Sequence, residues 1–148
     1  MSAASCVRFQ VGFPLLVVSG DEQDHSSLQR ILQHDCELHR VPGRRDALLS
    51  IRRFRPWVVV CDQILIDGDW RDLLRDLQSE REIPPLIVAS RLADDRLWAE
   101  VLNLGGYDLL TKPFAAKEVS RVVRLAAHRG SGSGELYRPP EVSRGAAE

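Results

Sequence analysis

Short runs of consecutive apolar residues alternate along this chain with stretches in which apolar positions recur every three or four residues. The clearest run is Val58-Val59-Val60-Cys61, which stops abruptly on Asp62. Three β-branched residues in succession read as a strand buried on both faces, the type found at the centre of a parallel sheet. Pro14-Leu15-Leu16-Val17-Val18 is a second such run, ended by Ser19-Gly20-Asp21, and Leu86-Ile87-Val88-Ala89 is a third, ended by Ser90. A fourth strand over Tyr107–Thr111 ends at Lys112-Pro113-Phe114, and Cys36–Val41 alternates weakly, as an edge strand does. Between the strands, helical spacing places Leu28, Ile31 and Leu32 on one face of a helix starting at Asp24. Ala47, Leu48 and Ile51 form the inward face of a helix that follows Pro42-Gly43. A third helix is predicted near Asp69–Leu77, and a fourth from about Asp94 to Leu104, stopped by Gly105-Gly106. Val119, Val122, Val123 and Ala126 mark the last. Five strands alternating with five helices over roughly 115 residues predict an α/β fold: a single doubly wound, five-stranded parallel sheet flanked by five helices.

The segments divide into a leader over residues 1–12, a folded domain over 13–129 and a tail over 130–148. The tail opens on Gly130-Ser131-Gly132-Ser133-Gly134, carries few apolar residues and is expected to be disordered. Apolar and charged fractions of 44% and 28% are those of a soluble globular protein. A net charge of −1 argues against nucleic acid or an anionic membrane as partner, and no apolar run reaches transmembrane length. The second helix carries Arg44, Arg45, Arg52 and Arg53, which read as a solvated face. Cys6, Cys36 and Cys61, at unrelated spacings and with no secretion signal, predict reduced thiols in a cytoplasmic protein. Of 20 basic residues 18 are Arg, which singles out Lys112 and Lys117.

In an open α/β sheet, ligands bind beyond the carboxyl ends of the strands. There the sequence gathers a carboxylate, Asp62, a hydroxyl, Ser90, and an ammonium, Lys112. A helix cap would be expected nearer Asp67 or Asp69, so Asp62 reads as a chemical group. No Gly-rich phosphate loop follows the first strand and no Ser/His/Asp or His/Cys arrangement is visible, so an enzyme is not expected.

With these pieces in this order, the chain resembles the receiver domain of two-component response regulators, the flavodoxin-like fold of CheY, over about residues 13–129. The most specific stretch is Leu104-Gly105-Gly106-Tyr107-Asp108-Leu109-Leu110-Thr111-Lys112-Pro113-Phe114. Pro56-Trp57-Val58 through Asp62, with Gly68 beyond, fits the strand that bears the family's phosphorylated aspartate. The resemblance implies that Asp62 is the phosphoacceptor, that Lys112 grips the phosphoryl group and that Ser90 is the hydroxyl that follows it. It also implies a cis bond before Pro113. Nucleophilic attack by the carboxylate on phosphorus, with the protein supplying position and charge, would be the chemistry. The implied partners are proteins: a sensor histidine kinase and a downstream target.

Two departures bear on that expectation. The family holds Mg²⁺ with two adjacent acids at the end of its first strand. Here the register set by Leu28, Ile31 and Leu32 puts Ser19 and Gly20 there. Asp21 is left at the rim, with the carbonyl of Ile64 as the remaining family ligand and Asp67 and Asp69 in a solvated loop. Magnesium needs carboxylate oxygens in near-octahedral array, so no cofactor or metal is expected, and Lys112 is expected to pair directly with Asp62. Leu109 stands where the family usually has Tyr or Phe. Three readings stay open: a single-domain receiver acting through protein contacts, a phosphorylation-independent pseudo-receiver, and, further off, a flavodoxin-like small-molecule binder or enzyme. The short tail is read as leaving no room for a DNA-binding output domain. The helix at 94–104, through Leu97, Trp98 and Val101, is expected to carry the partner surface, for a protein target or a homodimer; the alternative is that Trp98 merely lies flat across the domain.

Overall fold

Wherever the sequence offers an uninterrupted apolar run, a strand forms with its alternate residues facing opposite sides of one sheet. The structure is a computed structural model that describes residues 12–130. The expected leader (all but its last residue) and the tail beyond Gly130 lie outside the described residues. In chain order the elements are β1 (Phe13–Val18), α1 (Glu22–Leu32), β2 (Cys36–Val41), α2 (Arg44–Phe54) and β3 (Val58–Asp62). There follow β4 (Ile64–Leu65), β5 (Gly68–Asp69), α3 (Trp70–Leu77), β6 (Leu86–Ser90), α4 (Asp95–Leu104), β7 (Asp108–Thr111) and α5 (Ala116–Gly130).

The main sheet is five-stranded and parallel, in the order β2-β1-β3-β6-β7. The direction of winding reverses between β1 and β3, and such a switch point leaves a crevice at the carboxyl ends of the strands. Leu15 and Val17 pack with Leu28 and Leu32 of α1 and with Val119, Val122 and Val123 of α5. Leu16 and Val18, one residue out of phase, pack on the other face with Ile51 of α2, Leu73 and Leu77 of α3 and Val101 of α4. β4 and β5 form a short antiparallel hairpin directly after β3, where the sequence pattern indicated only a loop. No helix among the described residues is long and apolar enough to cross a membrane.

Helix boundaries follow their caps. Asp21 accepts a hydrogen bond from the Gln23 N–H at 2.9 Å, so α1 begins at Glu22, two residues earlier than its apolar spacing suggested. Asp69 caps α3, and Asp67 accepts from the N–H groups of Arg44 and Arg45 at 2.8 and 3.2 Å, capping α2 from across a loop. Neither carboxylate is a free loop group. Arg44 reaches Asp72 and Asp76, and Arg52 makes two hydrogen bonds to Glu80, so part of the basic face of α2 stitches it to α3 and the loop beyond.

The surface expected on α4 needs correction. Leu97 and Val101 are 7% and 0% exposed and belong to the core, because they continue the stripe that faces β6 and β7. Trp98 is 47% exposed and lies along the surface, its indole N–H donating to Asp108 at 3.2 Å. Leu102 and Leu104, not Leu97 and Val101, are the exposed apolar residues beside it.

Candidate functional site

Parallel register brings the ends of four strands to one edge. Val18 pairs with Cys61, Asp62 with Ala89 and Ser90 with Thr111, so Ser19, Asp62, Ser90 and Lys112 emerge side by side. The Lys112 ammonium pairs directly with Asp62, and the Lys112–Pro113 peptide is cis. Ser19 is buried at the end of β1, and its hydroxyl lies 2.9 Å from Asp62 Oδ2. The same hydroxyl accepts the Asp21 N–H at 3.0 Å, and Arg40 holds the Ser19 carbonyl at 2.9 Å. Ser19 is thus fixed from three sides.

A second carboxylate completes the cluster. Asp24, in the first turn of α1, is only 8% exposed and lies 2.6 Å from the Lys112 ammonium and 3.2 Å from the Ser19 hydroxyl. Sequence reasoning missed it, treating Asp24 as the polar start of a helix. The signal was present: Asp24, Leu28 and Leu32 recur at four-residue spacing, so the buried stripe of α1 opens with an acid. Asp21, expected at the pocket rim, is spent on the cap of α1. Ile64 lies in the β4–β5 hairpin and is 69% exposed.

Electrostatics follow from one cation between two anions. Burial pushes the Asp62 carboxyl above its ordinary value, and the nearby Asp24 charge adds to that, while Lys112 and Ser19 oppose it incompletely. Burial alone would lower the Lys112 ammonium, but hydrogen bonds and charge from Asp24 and Asp62 outweigh it and raise its pKa. The neighbouring thiol of Cys61 is fully buried and pushed well up by that burial, and burial likewise pushes Cys36 up to about 12, so both stay protonated and inert.

Ser90 makes no hydrogen bond to Asp62. Its hydroxyl donates to Gln63 Oε1 at 2.5 Å and accepts the Leu92 N–H at 2.9 Å, which uses its one proton. Gln63, the residue after Asp62, carried no signal in the sequence. Leu109 is buried on the α4 side of the sheet. The donor set does not fit a hard octahedral cation: both carboxylates are engaged by Lys112, and Ser19 and Gly20 offer no third. Among the described residues no three His, Cys, Asp or Glu side chains are grouped to hold a metal ion.

Residues 15–124 match the family model described as the response regulator receiver domain. Among curated relatives, the transcriptional regulatory protein PmrA of Pectobacterium parmentieri is 32% identical over 124 residues, covering 80% of this chain and 54% of its own length. The KDP operon transcriptional regulatory protein KdpE of Escherichia coli is 26% identical over 121 residues, covering 80% of this chain and 53% of its own. The chain therefore spans about half the length of these relatives. Their names describe transcriptional regulators, so the exclusion of nucleic acid drawn from net charge has no support. Among solved structures, the receiver domain of the Francisella response regulator 1452 superposes with a TM-score of 0.72 at 24% identity, over 80% of this chain and 98% of that one. CheY4 of Vibrio cholerae gives 0.70 at 15% identity, over 78% and 98%. At such identities these two carry the fold alone.

Proposed function

Because this chain belongs to the response regulator receiver family, we propose that it is a cytoplasmic receiver module whose Asp62 accepts a phosphoryl group and whose output is a change in protein contacts. One observation carries this reading: a partly buried carboxylate at the end of the central strand is in contact with a lysine ammonium delivered from the end of the edge strand β7, two strands away. Asp62 supplies an oxygen nucleophile, and Lys112 supplies the charge that offsets the incoming phosphoryl oxygens. In the step, a bond forms between Asp62 Oδ and phosphorus while the donor's bond to phosphorus breaks. The leaving group departs with that electron pair. The module is read as a switch and not an enzyme, with a sensor histidine kinase as the donor and a protein target downstream. No metal takes part in the step. The contact surface is read as α4 with its exposed Trp98, Leu102 and Leu104, facing a target or a second copy of the chain.

A second reading, a receiver fold used for binding without phosphorylation, is favoured by the hydrogen bond that turns the Ser90 hydroxyl to Gln63 and by Ser19 and Gly20 in place of acids. Intact mass after incubation with acetyl phosphate, in chelator and in Mg²⁺, separates the two. Phosphorylation is expected to add one phosphoryl mass to the parent and none to Asp62→Ala. A parent unmodified under both conditions leaves the binding-only reading.

A further inference from the structure

A buried acid on an otherwise apolar helix stripe has to be explained by what it touches. Asp24 Oδ2 is 2.6 Å from Lys112 Nζ and 3.2 Å from Ser19 Oγ, and the Asp24 side chain is 10% exposed. Asp62 meets the same ammonium through Oδ1 and the same hydroxyl through Oδ2. The two carboxylates therefore face each other across one cation and one hydroxyl. Two of the three N–H groups of Lys112 are taken, and the hydroxyl has a single proton for both acids. With Asp24 and Asp62 ionised and Lys112 protonated, the cluster carries one net negative charge before any phosphoryl group arrives. Among the described residues no other lysine or arginine makes a hydrogen bond or ion pair with either acid.

We propose that Asp24 is a positioning residue that occupies the anion seat on Lys112, an internal competitor that an incoming phosphoryl group must displace. This rests on the reading of Asp62 and Lys112 as the phosphoryl site. The carboxylate holds the ammonium in place in the resting protein and, by the same contact, denies it to outside anions. A phosphoryl group on Asp62 brings a further negative charge to the cluster and needs the N–H groups that Asp24 holds. The geometry thus makes Asp24 a brake on phosphorylation, set by a residue on α1 and not by the strand ends. Swinging the carboxylate out is the way to release it, and the first turn of a helix is where such a movement disturbs least, since those residues make the fewest helix hydrogen bonds.

Asp24→Asn keeps the shape and removes the charge; Asp24→Ala removes both contacts and serves as the second variant. All measurements are made in chelator on the full chain. Inorganic phosphate is expected to raise the melting temperature of both variants more than that of the parent, with potassium chloride of equal ionic strength as the reference. That gain should vanish when Lys112→Met is added. Acetyl phosphate is expected to label Asp62 about tenfold faster in Asp24→Asn than in the parent, as removal of one like charge from a partly buried site requires. If Asp24 only supports the fold, the variants melt lower but show neither the phosphate-dependent gain nor faster labelling, and the proposal fails. Slower labelling of Asp24→Asn overturns it too, since Asp24 would then assist the transfer. If no protein is labelled, the reading of Asp62 as phosphoacceptor falls, while a Lys112-dependent phosphate gain in the variants still upholds the role of Asp24.

Discussion

At Lys112, burial and pairing oppose each other, and pairing wins: contacts with Asp24 and Asp62 raise the pKa of the ammonium despite its low exposure. A raised lysine contributes stability that is fully present below its ordinary value of 10.5 and is lost as pH rises through its higher folded value. Asp62 works in the opposite sense for an acid. Its raised pKa means that the native state binds more protons than the unfolded one above 3.8, so stability falls as pH climbs from there through the folded value. Asp62→Asn should abolish that decline. Urea midpoints measured from pH 3.8 upward should show the variant gaining on the parent. Identical pH profiles would contradict the raised carboxyl. Lys112→Met leaves two carboxylates facing each other without a cation and is expected to cost about 3 kcal/mol at neutral pH. The deficit should shrink on acidification, as protonation removes the repulsion.

Elements are tied to one another by side chains that act far from their own position. The N-cap residue of α2, Gly43, has no side chain to offer, and Asp67 from the β4–β5 turn accepts the first N–H groups of that helix instead. The same approach explains the glycine: a Cβ on Gly43 would lie 2.7 Å from Asp67 Oδ1 and 2.9 Å from Ile66 Cγ2. Gly43 has extended backbone, so the constraint is space and not conformation. Hydrogen bonds from Arg44 and Arg45 hold the Asp67 carboxyl below its ordinary value. Asp67→Ala should destabilise by about 1 kcal/mol, the usual worth of a cap, and Gly43→Ala should do so by displacing the same carboxylate. Guanidinium denaturation of the two single variants and the double variant checks this. Fully additive losses would mean that the two residues do not share one contact.

For the whole molecule, the donor set predicts that the parent gains no stability from Mg²⁺ beyond ionic strength. Ser19→Asp with Gly20→Asp should change that. A Cβ on Gly20 has open space within 4 Å, so the second carboxylate can be accommodated. In chelator the variant should melt below the parent, since four acids would crowd the edge, and in millimolar Mg²⁺ it should recover more than the parent does. A parent that already responds to Mg²⁺ would overturn the reading of the pocket. The apolar surface on α4 concerns the molecule's contacts with others. Trp98→Ala should weaken self-association, measured by sedimentation velocity, by about 2 kcal/mol if Trp98 is its anchor, with little change in folding midpoint.

The sequence by itself determined a parallel sheet with helices on both faces, because apolar runs such as Val58–Cys61 can be satisfied only with both faces covered, while the strand order was implied by the family resemblance. It also brought Asp62, Ser90 and Lys112 to one edge, since strand ends are countable along the chain. Whether side chains at that edge touch was decided by tertiary structure. Asp24 enters the pocket because it opens the buried stripe that Leu28 and Leu32 continue, and packing of α1 on the sheet sets the first turn of that stripe against Lys112. Ser90 turns to Gln63 because the register places an amide oxygen within 2.5 Å. Leu97 and Val101 are core because α4 packs along β6 and β7, a rotation that apolar spacing on several faces could not specify. Spacing along one element is local information. Which face meets which neighbour is settled only when the elements pack and each buried polar group must find a partner.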